Sequence, residues 1–275
     1  MTDPRLIRLL SQELEVDDVS HDVTVALLGD EARKTKSAII SAREPGTFSG
    51  ESVIAAFKQV APGLMFLSHK NNGSVFESGE PLVEFRGPVG EILSLERTLL
   101  NFLSHACGVA TLTAKYVEAV IPYPTGILGT RKTLPGLRPL QLEAIDSGGG
   151  QRHRQSLSDG ILIKDNHQSI LSAAECVRAA RQTRSPLHRI EVEVQSLELL
   201  KEVLPERPDV IMLDNFSVGS VREALVLIQG SCAVEVSGGV TLENVRSFAE
   251  TGVDYVSVGR LTHSANSLDL TLDIS

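Results

Sequence analysis

The chain has 275 residues, 42% of them apolar, and its 35 acidic and 26 basic side chains leave a net charge of −9 at pH 7. That balance argues against nucleic acid as a partner, since nucleic-acid binding leaves a broad basic surface. No apolar run approaches the roughly 20 residues needed to span a bilayer, and no secretory pattern opens the chain. Cys107, Cys176 and Cys232 are far apart and lack paired spacing, so a reduced, cytoplasmic protein without a disulfide frame or zinc site is expected.

Taken in order, Asp3-Pro4 reads as a helix cap followed by a first-turn proline, and Leu6, Leu9, Leu10 and Leu14 form one apolar helix stripe. Ser37 to Ala42, Val53 to Val60 and Pro81 to Phe85 read as strand, helix and strand. Helical spacing then runs from Val89 to about Val120 through Ile92, Leu95, Leu99 and Leu103, with an expected interruption at Gly108 that marks a domain junction. Six β-rich runs follow: Gly126 to Gly129, Ile161 to Ile163, Ile190 to Val194, Val210 to Leu213, Ala233 to Val236 and Tyr255 to Val258. Segments of helical periodicity, such as Ser172 to Ala180, Leu197 to Val203 and Leu242 to Ala249, separate most of them. This alternation predicts parallel βα units and a barrel or open barrel.

What ends each run is informative. Arg131-Lys132, Lys164-Asp165, Glu193, Asp214-Asn215, Ser237-Gly238-Gly239 and Gly259 lie there, and in (β/α) barrels those ends face the mouth where reactions occur. Between Arg131 and His167 six Lys/Arg stand against four Asp/Glu, so this segment carries +2 while the rest of the chain carries −11. A local cationic site in an anionic protein points to a small anionic substrate.

Arg131, Lys132 and Arg154, with His153, offer donors that could clamp a carboxylate, although a solvated arginine-rich loop would look the same. Gly148-Gly149-Gly150 would let backbone approach a ligand closely. Glu193 and Asp214 could share a Mg²⁺, accept from sugar hydroxyls, or simply neutralise Lys164. Ser237-Gly238-Gly239 and Gly259, followed by Leu261-Thr262-His263, suggest paired late-strand phosphate loops. Lys164 has a second candidate role, as a Schiff-base nucleophile.

These residues resemble those of the quinolinate phosphoribosyltransferases, the carboxylating nicotinate-nucleotide pyrophosphorylases of NAD biosynthesis. The stretches that carry the resemblance are LERTLLNFLSHACGVATLT (95–113), GTRKTLPGLR (129–138), GGGQRHR (148–154), LIKDNH (162–167), EVEV (191–194), IMLDN (211–215), EVSGGV (235–240) and TGVDYVSVGRLTHS (251–264). They occur in family order over nearly the whole chain. The resemblance implies an α/β protein: an N-terminal α/β sandwich over 1–100, joined by the C-terminal tail 265–275, and an incomplete α/β barrel over 101–264. It also implies a homodimer whose active site is shared across the interface, with assembly beyond the dimer left open.

Residue by residue, the resemblance places Arg131, Lys132, His153 and Arg154 around the two carboxylates of quinolinate, with Arg97 entering from the partner subunit. Lys164 would lie beside phosphoribosyl pyrophosphate, and Glu193 and Asp214 near its ribose and a Mg²⁺ held directly or indirectly. Lys132, Lys164, Glu193 and Asp214 would surround the reacting atoms, and Ser237, Gly238, Gly239, Gly259 and His263 the 5′-phosphate. The chain departs from the family pattern at Gln141-Leu142-Glu143, where Glu-Lys-Tyr is usual. It departs again at Arg152, where Asn is usual, at Gln155-Ser156, and at His21-Asp22 in place of Gly-Asp. Three other readings remain: a related pentosyltransferase on another aromatic acid, such as the ModD-like branch associated with molybdenum transport, a Schiff-base lyase using Lys164, and a non-catalytic ligand-binding relative.

Overall fold

Asp3 accepts a hydrogen bond from the Arg5 N–H at 2.8 Å and Pro4 opens α1 (Pro4–Val16), which buries Leu6, Leu10 and Leu14. The structure is a computed structural model describing residues 3–275. A one-turn helix α2 (Val23–Ala26), capped by Asp22, leads to β1 (Thr35–Ala42), whose buried Ala38, Ile40 and Ala42 alternate with more exposed neighbours. After β2 (Gly46–Thr47) comes α3 (Glu51–Val60), then β3 (Met65–Ser68), β4 (Val75–Phe76) and β5 (Pro81–Pro88). Helix α4 spans Val89–Ala119, 31 residues without a break. The expected interruption at Gly108 does not occur.

Gly108 serves a close approach instead. A Cβ there would lie 2.0 Å from the backbone oxygen of Asn266, so the returning C-terminal segment passes against the bare helix at this point. Gly→Ala in a helix interior normally gains up to about 1 kcal/mol. Here Gly108→Ala should instead cost about 1–3 kcal/mol, the range for overpacking, as a shift in the urea midpoint. A gain in stability would show that the segment yields freely.

The chain divides into two units. One comprises the chain up to Ala114, Thr133–Gly149 and Arg260–Ser275; the other comprises Lys115–Lys132 and Gly150–Gly259. The division expected at 100/101 falls inside α4, and 133–149, expected within the barrel, belongs to the first unit. There α5 (Arg138–Ser147), α11 (Arg260–His263) and β13 (Leu270–Ile274) join the elements up to α4. A four-stranded antiparallel sheet, ordered β13-β1-β5-β3, pairs Ile40 with both Leu272 and Val83. One face packs Ile40, Val83 and Phe85 into a core with Leu6, Leu10, Phe57 and Leu99.

The second unit runs β6 (Gly126–Gly129), β7 (Gln151–Arg152), β8 (Ile161–Ile163), α6 (Asp165–Gln168), α7 (Ala173–Thr183), β9 (Ile190–Val194), α8 (Leu197–Val203), β10 (Val210–Asp214), α9 (Val218–Ile228), β11 (Ala233–Ser237), α10 (Val245–Ala249) and β12 (Tyr255–Val258). All six expected strands are present, with the two-residue β7 added. They form one parallel sheet ordered β7-β6-β12-β11-β10-β9-β8. β6 lies beside β12, as in a barrel, while β7 and β8 end the sheet unpaired with each other. The result is an open α/β barrel. β9 is buried along its whole length, as a strand covered on both faces must be.

Candidate active site

Side chains alternate along a strand, so one parity of every barrel strand faces inward. The inward set at the carboxyl ends is chemically dense. Thr130, Arg131 and Lys132 after β6, His153 and Arg154 after β7, Lys164 after β8, Glu193 on β9, Asp214 on β10, Ser237 on β11 and Ser257 on β12 line one cavity of about 330 Å³. Leu162, Met212 and Glu235, one step deeper on their strands, complete it. Neighbouring strands set the rows: Met212 pairs with Glu193 and with Glu235, and Asp214 with Ser237.

Charges in the cavity are paired across strands. Lys164 Nζ donates to Glu193 Oε2 at 2.6 Å. Asp214 accepts from Asn215 Nδ2 at 2.7 Å. Its carboxyl is pushed up first by burial and then by the charge of Glu193, with Lys164 and Lys132 opposing. Two carboxylates facing one cavity from adjacent strands suit a divalent cation with oxygen ligands, so the donor set fits Mg²⁺. A Schiff-base lysine is normally freed of its charge by an apolar site or a second cation. Lys164 has an acid partner instead, which weighs against that reading.

The cationic wall is built differently. Arg154 donates through Nη1 to Gly160 O at 3.1 Å, and its guanidinium is pushed down by burial and then by Arg131, with Glu191 opposing. Arg131 Nε is buried without a partner among the described residues, a donor left over for a ligand. His153 Nε2 lies 2.9 Å from Glu191 and 3.4 Å from Glu235. Burial alone would lower the imidazole, but hydrogen bonds and charge from Glu191 and Glu235 outweigh it and raise His153 from 6.5 to about 10. Burial pushes the Glu191 carboxyl up, His153 opposing and Glu235 reinforcing.

A raised folded-state value stabilises the fold fully below the unfolded value and loses that contribution as pH climbs through the folded one. The wild type should therefore lose stability relative to His153→Asn as pH rises from 6.5 toward about 10, read from urea midpoints. Parallel profiles for the two proteins would contradict a protonated His153.

Not every residue of the cationic segment 131–167 or of the expected site lines this cavity. Arg138 lies in the first unit and donates through Nε to Thr133 Oγ1 at 3.1 Å. Arg152 is exposed and lines a separate cavity at the other end of the barrel. Arg97 is exposed on α4 and does not line the mouth cavity. His263, in the first unit, is exposed with Nδ1 2.7 Å from Ser264 Oγ. Gly238 and Gly239 turn the chain after β11 with φ of +88° and +63°, and a Cβ on Gly238 would strike Asn215 Oδ1 at 2.2 Å. Gly259 follows β12.

The glycine run at 148–150 has another explanation than ligand approach. A Cβ on Gly148 would lie 2.4 Å from Ala110 O and 2.5 Å from Thr113 Cβ, so that glycine lets α5 end against α4, and Gly149 has φ of +80°. Glu191, Glu235 and Ser257 were not singled out from the sequence. The signal was present, since Glu191 precedes Glu193 by two residues and Glu235 precedes Ser237 by two.

Two family descriptions match the chain: the quinolinate phosphoribosyl transferase N-terminal domain over residues 22–107 and the C-terminal domain over 109–273. The chain belongs to the quinolinate phosphoribosyltransferase family. It is 42% identical over 242 residues to the nicotinate-nucleotide pyrophosphorylase (carboxylating) of Mycobacterium leprae, covering 84% of each chain. A Bacillus subtilis protein named probable nicotinate-nucleotide pyrophosphorylase (carboxylating) is 40% identical over 240 residues, covering 86% of this chain and 83% of that one. The solved nicotinate-nucleotide pyrophosphorylase of Francisella tularensis superposes with a TM-score of 0.92 at 33% identity over 100% of both chains.

The departures from the family pattern have local partners. Gln141 is fully buried, its Oε1 accepting from Leu134 N at 3.0 Å and its Nε2 donating to Thr262 O at 3.0 Å. Glu143 accepts from Asn72 Nδ2 at 2.8 Å and from Ser52 N at 3.2 Å. Asp159 holds the N–H groups of Gln155 and Ser156 at 2.7 and 3.1 Å. None of Leu142, Glu143, Arg152, Gln155 or Ser156 lines the mouth cavity.

Proposed function

We propose that the protein converts quinolinate and phosphoribosyl pyrophosphate into nicotinate mononucleotide, pyrophosphate and carbon dioxide, in line with its quinolinate phosphoribosyl transferase family and with a relative named nicotinate-nucleotide pyrophosphorylase (carboxylating). The observation that carries this reading is the mouth cavity, where Arg131, Lys132, His153, Arg154 and Lys164 face Glu193 and Asp214. Quinolinate is a dianion and its cosubstrate a polyanion. Holding both within reach of each other needs that density of positive charge, and once oriented the reaction is effectively unimolecular.

Arg131 and Arg154 clamp the carboxylates, with Lys132 and the His153 ring beside them. Lys164 neutralises the pyrophosphate end, and Ser237 with the Gly238-Gly239 and Gly259 turns receives the 5′-phosphate. The pyridine nitrogen attacks the anomeric carbon as pyrophosphate departs, and Glu193 and Asp214 stabilise the oxocarbenium-like charge on the ribose. Mg²⁺, when bound at Glu193 and Asp214, would neutralise charge on the departing pyrophosphate. The alkylated nitrogen then accepts the electron pair released as the adjacent carboxylate leaves, and a proton replaces carbon dioxide on the ring. N-ribosylation therefore precedes decarboxylation.

Arg97 is exposed on α4, and we assign it to the partner subunit's cavity in a homodimer, as the family resemblance implies. We place the enzyme in the cytoplasm, where its substrates are made and unpaired cysteines persist. No helix among the described residues is long and apolar enough to cross a membrane.

The deciding experiment incubates the protein with phosphoribosyl pyrophosphate, Mg²⁺ and either quinolinate or nicotinate and identifies the nucleotide. Quinolinate turnover with release of carbon dioxide is expected; turnover of nicotinate alone would overturn the assignment. Arg154→Lys keeps the charge but loses the guanidinium fork, and it should weaken quinolinate binding by about 1.5–3 kcal/mol in a titration without cosubstrate.

A further inference from the structure

Two cavities lie back to back inside the barrel, and two buried glutamates between them, Glu191 and Glu235, take part in no step described so far. The mouth cavity is one. The other, about 500 Å³, opens among the amino ends of the strands at Ile161, Arg189, Val210 and Tyr255. His153, Arg154 and Glu235 wall both.

Between them Glu191 and Glu235 converge on one ring nitrogen. His153 Nε2 is 2.9 Å from Glu191 Oε2 and 3.4 Å from Glu235 Oε2. Both glutamates are buried, at 7% and 1% exposure, and the Oε1 atom of each has no partner among the described residues. Buried carboxylates are costly unless paired, and a parallel barrel ordinarily fills this layer with apolar side chains. Two acids facing one imidazole therefore call for a reason beyond packing.

The hydrogen bond that one imidazole nitrogen makes sets the tautomer and the orientation of the other. With Nε2 committed to the two carboxylates, Nδ1 is the nitrogen available to a ligand. The backbone of the same residue is pinned as well, its N–H donating to Gly129 O at 3.1 Å. A ring held through Nε2 by acids on two strands, above a backbone pinned to a third, is what precise recognition of a small planar acid requires.

We propose that Glu191 and Glu235 are positioning residues that fix the ring of His153 so that Nδ1 addresses a carboxylate of the acid substrate. The proposal rests on the quinolinate reading above. It assigns the acid pocket a buried layer contributed by β9 and β11 beneath the first contact.

The test is a double-mutant cycle read as separate KM values. Glu191→Gln and Glu235→Gln keep size and remove one acceptor oxygen and the charge. Each should raise the KM for quinolinate roughly ten- to a hundredfold, the range for a lost hydrogen bond to a charged group, and leave the KM for phosphoribosyl pyrophosphate unmoved. In a His153→Asn background the same changes should add no more than about twofold, because residues acting through one intermediary are not additive. Equal penalties in both backgrounds, or equal shifts in both KM values, would overturn the proposal. Glu191→Asp separates contact from field: it keeps the charge but withdraws the oxygen by one methylene, and the loss should persist.

Should a variant fail to fold, nitrogen-15 histidine spectra of the wild type still decide. They should show a slowly exchanging proton on Nε2 of His153, assigned by its disappearance in His153→Asn, and a fast-exchanging one would overturn the proposal. Because that spectrum needs no substrate, a wild type that ignores quinolinate would sink the functional reading and leave the positioning of His153 separately testable.

Discussion

Glu193→Gln and Asp214→Asn should each slow nucleotide formation by about 10²–10³-fold, the usual effect of removing one preorganised electrostatic group from a reacting centre. Both carboxylates project from adjacent parallel strands into the mouth cavity, and Asp214 is pushed upward first by burial and then by the charge of Glu193. Neutralising either leaves volume and most hydrogen-bonding capacity intact. The loss should therefore appear in kcat and in the Mg²⁺ concentration needed for half-maximal rate, while quinolinate binding without cosubstrate stays close to wild type. Glu193→Gln also removes the negative charge that faces Lys164 Nζ at 2.6 Å, so its effect should exceed that of Asp214→Asn. Circular dichroism and urea midpoints check the folds. If both variants unfold, these acids hold the barrel cations in place and the proposed metal site falls.

The expectation that strand ends converge on one mouth could be drawn from sequence because the strands are parallel and short, so chemistry at position 131, 164, 193 or 214 shares one end of the sheet. Period-two reading stopped too early, however. Glu191 and Glu235 lie two residues before recognised site residues on the same strand face, yet acids inside a strand are easily taken for solvent-facing ones when the closure of the sheet is not in view. The cationic segment 131–167 was too coarse a unit for the opposite reason. Proximity along the chain grouped Arg138 and Arg152 with Arg131 and Arg154, although the backbone sends Arg138 to the other unit and points Arg152 toward the far end of the barrel. Glycine was ambiguous in a similar way. Gly238 answers to a left-handed turn against Asn215, Gly108 and Gly148 to backbone passing within van der Waals reach, and the letter alone does not distinguish these causes.

The largest effect expected is on a residue that lies outside the mouth lining. Arg97→Ala should leave an almost inactive homodimer although Arg97 is a solvent-exposed side chain of α4, and Lys132→Ala, at the mouth itself, should do the same. If Arg97 completes the cavity of the partner subunit, the two lesions fall on different sites of a mixed dimer. Co-expression with two affinity tags and tandem purification isolates that species. One of its sites then combines an intact Lys132 with an intact Arg97 from the other chain, while the second site lacks both. In a symmetric dimer with independent sites the mixed species should recover about half of wild-type activity. Each parent alone recovers none, so the recovered activity cannot come from contaminating homodimers. If Arg97 served its own subunit's cavity, every site in the mixed dimer would carry one lesion and activity would stay at the level of the parents. That result would remove Arg97 from the partner's active site and with it the shared-site account of the dimer.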